Sequence, residues 1–203
     1  MKNRSNVRWL TQIALLAAIL LVLNYTPLGY LQVGPLSASL LTVPVAIGAI
    51  TMGPAAGALL GALFGATSFM QALQGKSVMG GALFAANPAG YFVVSVIGRV
   101  LMGLCVGLIF AALQKALPKK EKLTCYIAAF CAPFLNTVFY MGLLVAIFYN
   151  SEFVQNLAAK KGATNPLMFI VLVVGVQAVV EWCVCCAVAG TVSLPVRKYM
   201  KNH

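Results

Sequence analysis

The chain has 203 residues, of which 62% are hydrophobic and 8% are charged, and its formal net charge is +11. A soluble domain carries about 25% charged residues, so this chain cannot cover itself with a polar surface. Its solvent must be mostly lipid, and the sequence predicts an all-α membrane protein because helices satisfy their own backbone hydrogen bonds in a bilayer. At about 20 residues per crossing, the length fits one membrane-embedded domain. The basic residues lie between apolar runs, which favours a role in membrane orientation over nucleic-acid binding.

Six transmembrane helices are predicted, each an apolar run bounded by charges, glycines or prolines. A basic start precedes the first span, and the loop from Asn24 to Ser37 is interrupted by prolines and glycines. Asn87-Pro88 is a helix-start signal before the fourth span. The predicted spans cover residues 9–24, 38–52, 54–73, 88–113, 124–149 and 167–194.

The segment VPVAIGAITMGPAAGALLGALFGATS, residues 43–68, is apolar and has a Gly-Pro pair at Gly53 and Pro54. After this break, Gly57, Gly61 and Gly65 continue a four-residue spacing, which places them on one helix face. Small residues at this spacing let helix backbones approach closely in a membrane. The segment therefore predicts two spans joined by a tight turn and packed against their neighbours.

The distribution of Lys and Arg predicts the orientation of the bundle. Three basic residues precede the first span, four lie between the fourth and fifth, and three follow the sixth. With an even number of spans, all three groups fall on one side, and the positive-inside rule assigns that side to the cytoplasm. Both termini are therefore expected to be cytoplasmic in a multi-pass protein of the cell membrane. The opposite side carries Lys76, Lys160 and Lys161.

Three polar residues inside the predicted spans are candidates for function: Arg99, Asn136 and Glu181. At 1.5 Å per residue, they lie about 16, 20 and 21 Å from the outer ends of their spans. Ionisable groups at this depth are costly, face the bundle interior and often mark a substrate pathway. Either Arg99 and Glu181 form a structural ion pair, with Asn136 completing its hydrogen bonds, or they contact a ligand directly. A pair that forms the floor of a ligand pocket would combine both interpretations.

Further polar and aromatic residues nearer the outer side complete a candidate pocket. An interfacial aromatic belt is the alternative explanation for the tyrosines. The candidates on the first loop and on spans four, five and six are Tyr25, Tyr30, Gln32, Asn87, Tyr91, Tyr140 and Gln177.

Several chemistries are disfavoured by motifs that are incomplete. Gly75-Lys76-Ser77 resembles the end of a P-loop, but Met70 stands where the earlier glycine is needed. Cys183 and Cys186 have C-x-x-C spacing inside an apolar helix without a nearby histidine. We therefore expect no metal, no cofactor and no enzymatic activity.

The ordered set of these motifs resembles the substrate-binding S components of energy-coupling factor (ECF) vitamin transporters. The resemblance rests on ALLAA from Ala14 to Ala18, TPLGY from Thr26 to Tyr30, the residue 43–68 segment, Asn87-Pro88, GRVLMGLCVGL from Gly98 to Leu108, Asn136-Thr137 and Glu181. It covers nearly the whole chain and is most similar to the pantothenate-type group. Cobalamin, folate and riboflavin types follow closely.

The resemblance implies a six-helix bundle whose substrate site opens outward and is covered by the loop after the first helix. It implies that Ala14 and Ala18 contact a separate coupling membrane subunit, and that two ATPase subunits are further chains. Arg99 would suit a carboxylate such as that of pantothenate through bidentate hydrogen bonds. A stand-alone proton-coupled secondary transporter, with Glu181 as the titrating group, is the alternative.

Overall fold

The computed structural model describes residues 2–26, 29–33 and 36–202, and this part of the chain is almost entirely helical. A first helix is followed by a two-stranded antiparallel hairpin, in which Tyr30 pairs with Ser39 and Val33 with Leu36. The elements are α1 (Lys2–Tyr25), β1 (Tyr30–Val33), β2 (Leu36–Ser39), α2 (Thr42–Met52), α3 (Pro54–Leu73), α4 (Val78–Ala86), α5 (Pro88–Phe92), a π-helical turn (Val93–Ile97), α6 (Gly98–Ala116), α7 (Glu121–Phe148), α8 (Glu152–Lys161) and α9 (Pro166–Asn202).

Five of the described helical segments are long and apolar enough to cross a membrane, which confirms the predicted all-α membrane fold. A sixth crossing is available if α8 and the first part of α9, which meet at 71°, count as one broken span. The five segments are Val7–Tyr25, Pro54–Leu73, Pro88–Ala116, Glu121–Phe148 and Gln177–Met200.

The second predicted span differs from the structure. The prediction placed a helix over 38–52, whereas α2 begins at Thr42 because strand β2 ends at Ser39. Its 11 residues extend about 17 Å, well short of a bilayer core of about 30 Å. Val45, Ala46 and Ala49 are fully buried, so the apolar character of α2 reflects burial among the other helices.

Two connections that were predicted without helices contain α4 and α8. Both begin with a serine cap, since Ser77 accepts the N–H of Gly80 and Ser151 accepts that of Val154. The last predicted span, 167–194, lies within α9, but α9 is kinked at Gly175, where φ is 23° and ψ is −120°. That backbone conformation is one that glycine tolerates and side-chain-bearing residues rarely adopt.

The glycines of α3 pack against the backbone of α6 and the π-helical turn, as their spacing predicts. A Cβ at Gly57 would collide with the carbonyl oxygen of Gly103, and one at Gly61 with that of Arg99. One at Gly65 would lie 2.6 Å from the carbonyl oxygen of Ser95. The two helices therefore run antiparallel with their backbones in contact. The backbone of Arg99, the candidate ligand-binding cation, is part of this contact.

Two hydrophobic clusters form the core. The first surrounds α2 and includes Phe64 of α3. The second joins α4, α5, the end of α7, α8 and the start of α9, and includes Met141. Phe64 and Met141 both line the same cavity, which therefore lies where the two clusters meet.

Candidate functional site

A cavity of about 280 Å³ lies between α3, α6, α7 and α9, at the end of strand β2. Five of the sequence-predicted site residues line it: Arg99, Asn136, Tyr140, Gln177 and Glu181. The three deep polar residues, Arg99, Asn136 and Glu181, therefore line the same cavity. The remaining lining residues are Ser39, Phe64, Met79, Thr137, Met141, Val173 and Val174.

The guanidinium of Arg99 is held in a fixed orientation at the cavity wall. Its Nη1 donates a hydrogen bond of 2.8 Å to the carbonyl oxygen of Ser95, one turn earlier in the π-helical turn. Its Cζ lies 4.3 Å from the centre of the Phe64 ring and 4.9 Å from that of Tyr140. Each such cation–π contact stabilises a desolvated arginine by about 1–2 kcal/mol. The cation is therefore held by these contacts before any ligand arrives.

Glu181 lies at the cavity with 8% of its surface exposed. Its Oε1 accepts the backbone N–H of Ser39 at 2.7 Å and the side-chain amide of Gln177 at 3.2 Å. The structure records no direct ion pair between Glu181 and Arg99 among the described residues, although both line the same cavity. Arg99 and Glu181 therefore present a guanidinium and a carboxyl group to the same cavity.

Asn136 presents a buried polar atom to this site. Its Oδ1 is inaccessible and has no hydrogen-bond partner among the described residues. A buried oxygen without a donor costs about 1–3 kcal/mol, which is recovered when a donor reaches it. The arrangement suits a ligand that brings an O–H or N–H to this oxygen.

The other predicted pocket residues lie elsewhere or outside the described residues. Asn87 caps α5, accepting the N–H of Gly90 at 2.9 Å, and Tyr91 is buried with its ring stacked 5.8 Å from that of Phe69. Tyr25 is 60% exposed, and the amino group of Lys76 lies over its ring. These three were predicted at the pocket but do not line it, because helix capping, core packing and surface contacts occupy them. The side chains of Tyr30 and Gln32 lie outside the described residues.

The sequence did not predict Ser39 or the apolar residues that line the cavity. Phe64, Met79, Val173 and their neighbours resemble ordinary core positions, since nothing in an apolar pattern separates a cavity wall from a packed interior. Ser39 contributes its backbone N–H to Glu181, and no side-chain pattern predicts such a contact. A signal was available for Phe64, which lies three residues after Gly61 on the helix that contacts Arg99.

Ala14 and Ala18, the predicted docking residues, are both exposed on α1. They lie four residues apart on one face of this helix. Exposed apolar side chains, including Leu15 and Val22, occupy the same helix.

Fold and site together define a class of protein: a multi-pass membrane protein with a small cavity among its helices, lined by both polar and apolar side chains. No group of three or more potential metal ligands occurs in the part of the chain that the structure describes. The chain belongs to the family of ECF transporter substrate-specific components, whose family model matches residues 8–193. Members are transporter subunits rather than enzymes, and they associate with a coupling membrane subunit and ATPases to take up a small-molecule substrate. No curated protein matches the chain.

Proposed function

We propose that this chain captures a water-soluble vitamin, pantothenate, from outside the cell for an ATP-driven ECF importer. The observation that carries the ligand proposal is a cavity lined by Arg99, Glu181 and Asn136, whose Oδ1 has no hydrogen-bond partner in the part of the chain that the structure describes. Pantothenate has a carboxylate for the guanidinium, and hydroxyl and amide groups that donate hydrogen bonds. Its apolar dimethyl group would contact Val173, Val174 or the methionines.

The cavity volume supports a compact ligand. The volume of about 280 Å³ is just below the range of about 300–1,000 Å³ for small-molecule pockets. Cobalamin, with its corrin ring and nucleotide tail, is far larger than this space. Folate and riboflavin need a long flat slot for their fused rings, whereas the guanidinium of Arg99 already lies against the rings of Phe64 and Tyr140 at this cavity.

The membrane arrangement that we propose has both termini in the cytoplasm, as the positive-inside rule indicates. The hairpin end of the bundle, where Ser39 and the cavity lie, then faces outward. The exposed Ala14 and Ala18 of α1 form the proposed contact with the coupling subunit. Docking would reorient the loaded bundle so that the ligand is released inside.

Mass spectrometry of the small molecule that co-purifies with the detergent-solubilised protein tests the ligand assignment. We expect pantothenate, and titration calorimetry should give tight binding to the ligand-free protein. Arg99→Lys should lower the affinity about 10- to 100-fold, since lysine cannot reproduce a bidentate pair. Recovery of another vitamin would overturn the pantothenate assignment.

Transport in proteoliposomes separates the importer subunit from a stand-alone transporter. Vesicles that contain this chain alone should bind the vitamin without accumulating it. Uptake by the chain alone, driven by a proton gradient and lost in Glu181→Gln, would favour the secondary transporter instead.

A further inference from the structure

The main-chain N–H of Ser39 donates a hydrogen bond to the Glu181 carboxyl group at the wall of the cavity. The donor is the last residue of strand β2, and the acceptor lies on α9, 142 positions later in the chain. Both residues line the cavity. This 2.7 Å hydrogen bond therefore joins the connection after α1 to the wall that carries the candidate ligand contacts.

The register of the hairpin explains why this N–H is available. Leu40 donates its N–H to the carbonyl oxygen of Gly29, so these two residues occupy a hydrogen-bonded position of the ladder, although the N–H of Gly29 donates to the carbonyl of Thr26. Bonded and non-bonded pairs alternate along an antiparallel ladder, and the next pair, Tyr30 and Ser39, is therefore non-bonded. The Ser39 N–H points away from β1, and a carboxylate of α9 accepts it.

Glu181 is shared between the hairpin and the cavity. Both hydrogen bonds that the described residues make to it fall on Oε1, from Ser39 and from Gln177. Its Oε2 remains for a donor in the cavity. At 2.7 Å the bond from Ser39 is at the short end of the range for N–H···O hydrogen bonds, so it can anchor a short strand.

We propose that Glu181 is a positioning residue that holds strand β2 at the cavity mouth through the Ser39 N–H. Closure of the cavity then depends on one carboxylate, and a ligand donor on Oε2 strengthens closure by fixing the orientation of that carboxylate. Because such coupling is reciprocal, a seated strand also retains the ligand. This proposal rests on the proposed function in taking the cavity as the ligand site, but the anchoring contact can be tested without a ligand.

The first test is hydrogen–deuterium exchange of the ligand-free full-length protein in detergent. Glu181→Gln and Glu181→Ala should raise amide exchange about tenfold or more in peptides covering residues 29–40. Exchange in the core of α3 and α6 should stay unchanged. Unchanged exchange over 29–40 in Glu181→Ala would overturn the proposal, whatever the identity of the ligand.

Ser39 provides a matched pair of variants. Ser39→Pro removes the outward N–H but no ladder bond, whereas Ser39→Ala keeps the N–H and removes a hydroxyl that is buried without a partner among the described residues. Ser39→Pro should raise exchange over 29–38 as Glu181→Ala does, and Ser39→Ala should match the parent protein. If Ser39→Pro fails to fold, exchange in the Glu181 variants and in Ser39→Ala still tests whether this hydrogen bond holds strand β2.

A kinetic test with pantothenate completes the design. The dissociation rate should rise about 10- to 100-fold in Ser39→Pro, with the association rate nearly unchanged. The double variant with Ser39→Pro and Glu181→Ala should exchange no faster than either single variant, because both substitutions remove the same hydrogen bond. Absence of pantothenate binding to the parent protein would refute the ligand assignment and leave the exchange result to stand by itself. Additive effects on exchange would refute the shared contact.

Discussion

The guanidinium of Arg197, near the end of α9, donates a hydrogen bond of 2.9 Å to the carbonyl oxygen of Ile50 in α2. In a continuous helix that carbonyl would accept the N–H of residue 54, but Pro54 has none. The same guanidinium pairs with Glu121 at 2.9 Å and lies 4.5 Å from the centre of the Phe110 ring. One side chain thus joins the α2–α3 turn to α6 and to the start of α7.

Replacing this arginine should destabilise the protein. Arg197→Met keeps an apolar stem over Phe110 but leaves the Ile50 carbonyl without its donor and Glu121 without this partner. We expect the free energy of unfolding to fall by about 2 kcal/mol, measured by denaturation in detergent. Lys198→Gln changes an exposed neighbour of the same charge and should have little effect. Equal stability of the two variants would contradict the role given to Arg197.

The glycine contact between α3 and α6 predicts a strong effect of a single methyl group. Gly61→Ala places a Cβ against the Arg99 carbonyl oxygen, a backbone atom that cannot move aside by a rotamer change. Both thermal stability and ligand affinity should fall, because the helix that carries Arg99 is displaced. Gly142→Ala on α7, where nothing lies within 4 Å, is the control and should be neutral or slightly stabilising. Two equally tolerated variants would rule out a close-packed interface.

A substitution of Asn136 should lower ligand affinity without lowering the stability of the ligand-free protein. Asn136→Leu is close to isosteric and removes an oxygen that is buried without a partner among the described residues. Stability of the ligand-free protein should be unchanged or slightly higher, whereas pantothenate affinity should fall about tenfold or more. Unfolding and calorimetry of the same preparation measure both quantities. A variant that binds normally would show that the amide does not contact the ligand.

The exposed small residues of α1 predict a defect confined to transport. Ala14→Phe with Ala18→Phe should leave ligand binding intact, because both side chains lie on the outside of the bundle. Uptake by the assembled transporter should be lost, since a docking helix could no longer approach closely. Ala187→Phe, an exposed small-to-large change on α9, is the control. Equal loss of binding and uptake would refute the docking face.

The boundaries of α3 could be predicted well because local chemistry sets them. A Gly-Pro pair ends one helix and starts the next, and α3 runs over Pro54–Leu73 as predicted. The extent of α2 could not be predicted, because an apolar run has the same composition whether lipid or protein surrounds it. Only the surrounding helices distinguish these cases, and their arrangement depends on distant parts of the chain.

Part of the candidate site could be predicted from the sequence, and part of it could not. Arg99, Asn136 and Glu181 could be selected as candidate site residues because polar groups at membrane depth are rare and costly. Tyr91 was a reasonable pocket candidate, but its stacking on Phe69 depends on how α3 and α5 meet. The Ser39 contact uses the main chain, so no residue type marks it in the sequence.

The glycine contact also determines how the cavity can move. At Gly57 and Gly61 the backbone of α3 lies directly against the backbone of α6, with no side chain between them to absorb a displacement. A push at the Gly53–Pro54 turn would therefore reach the cavity wall as a translation of both helices together. We expect α3 and α6 to move as one rigid unit, so that a tilt of the bundle in the bilayer would leave the distances around the cavity unchanged.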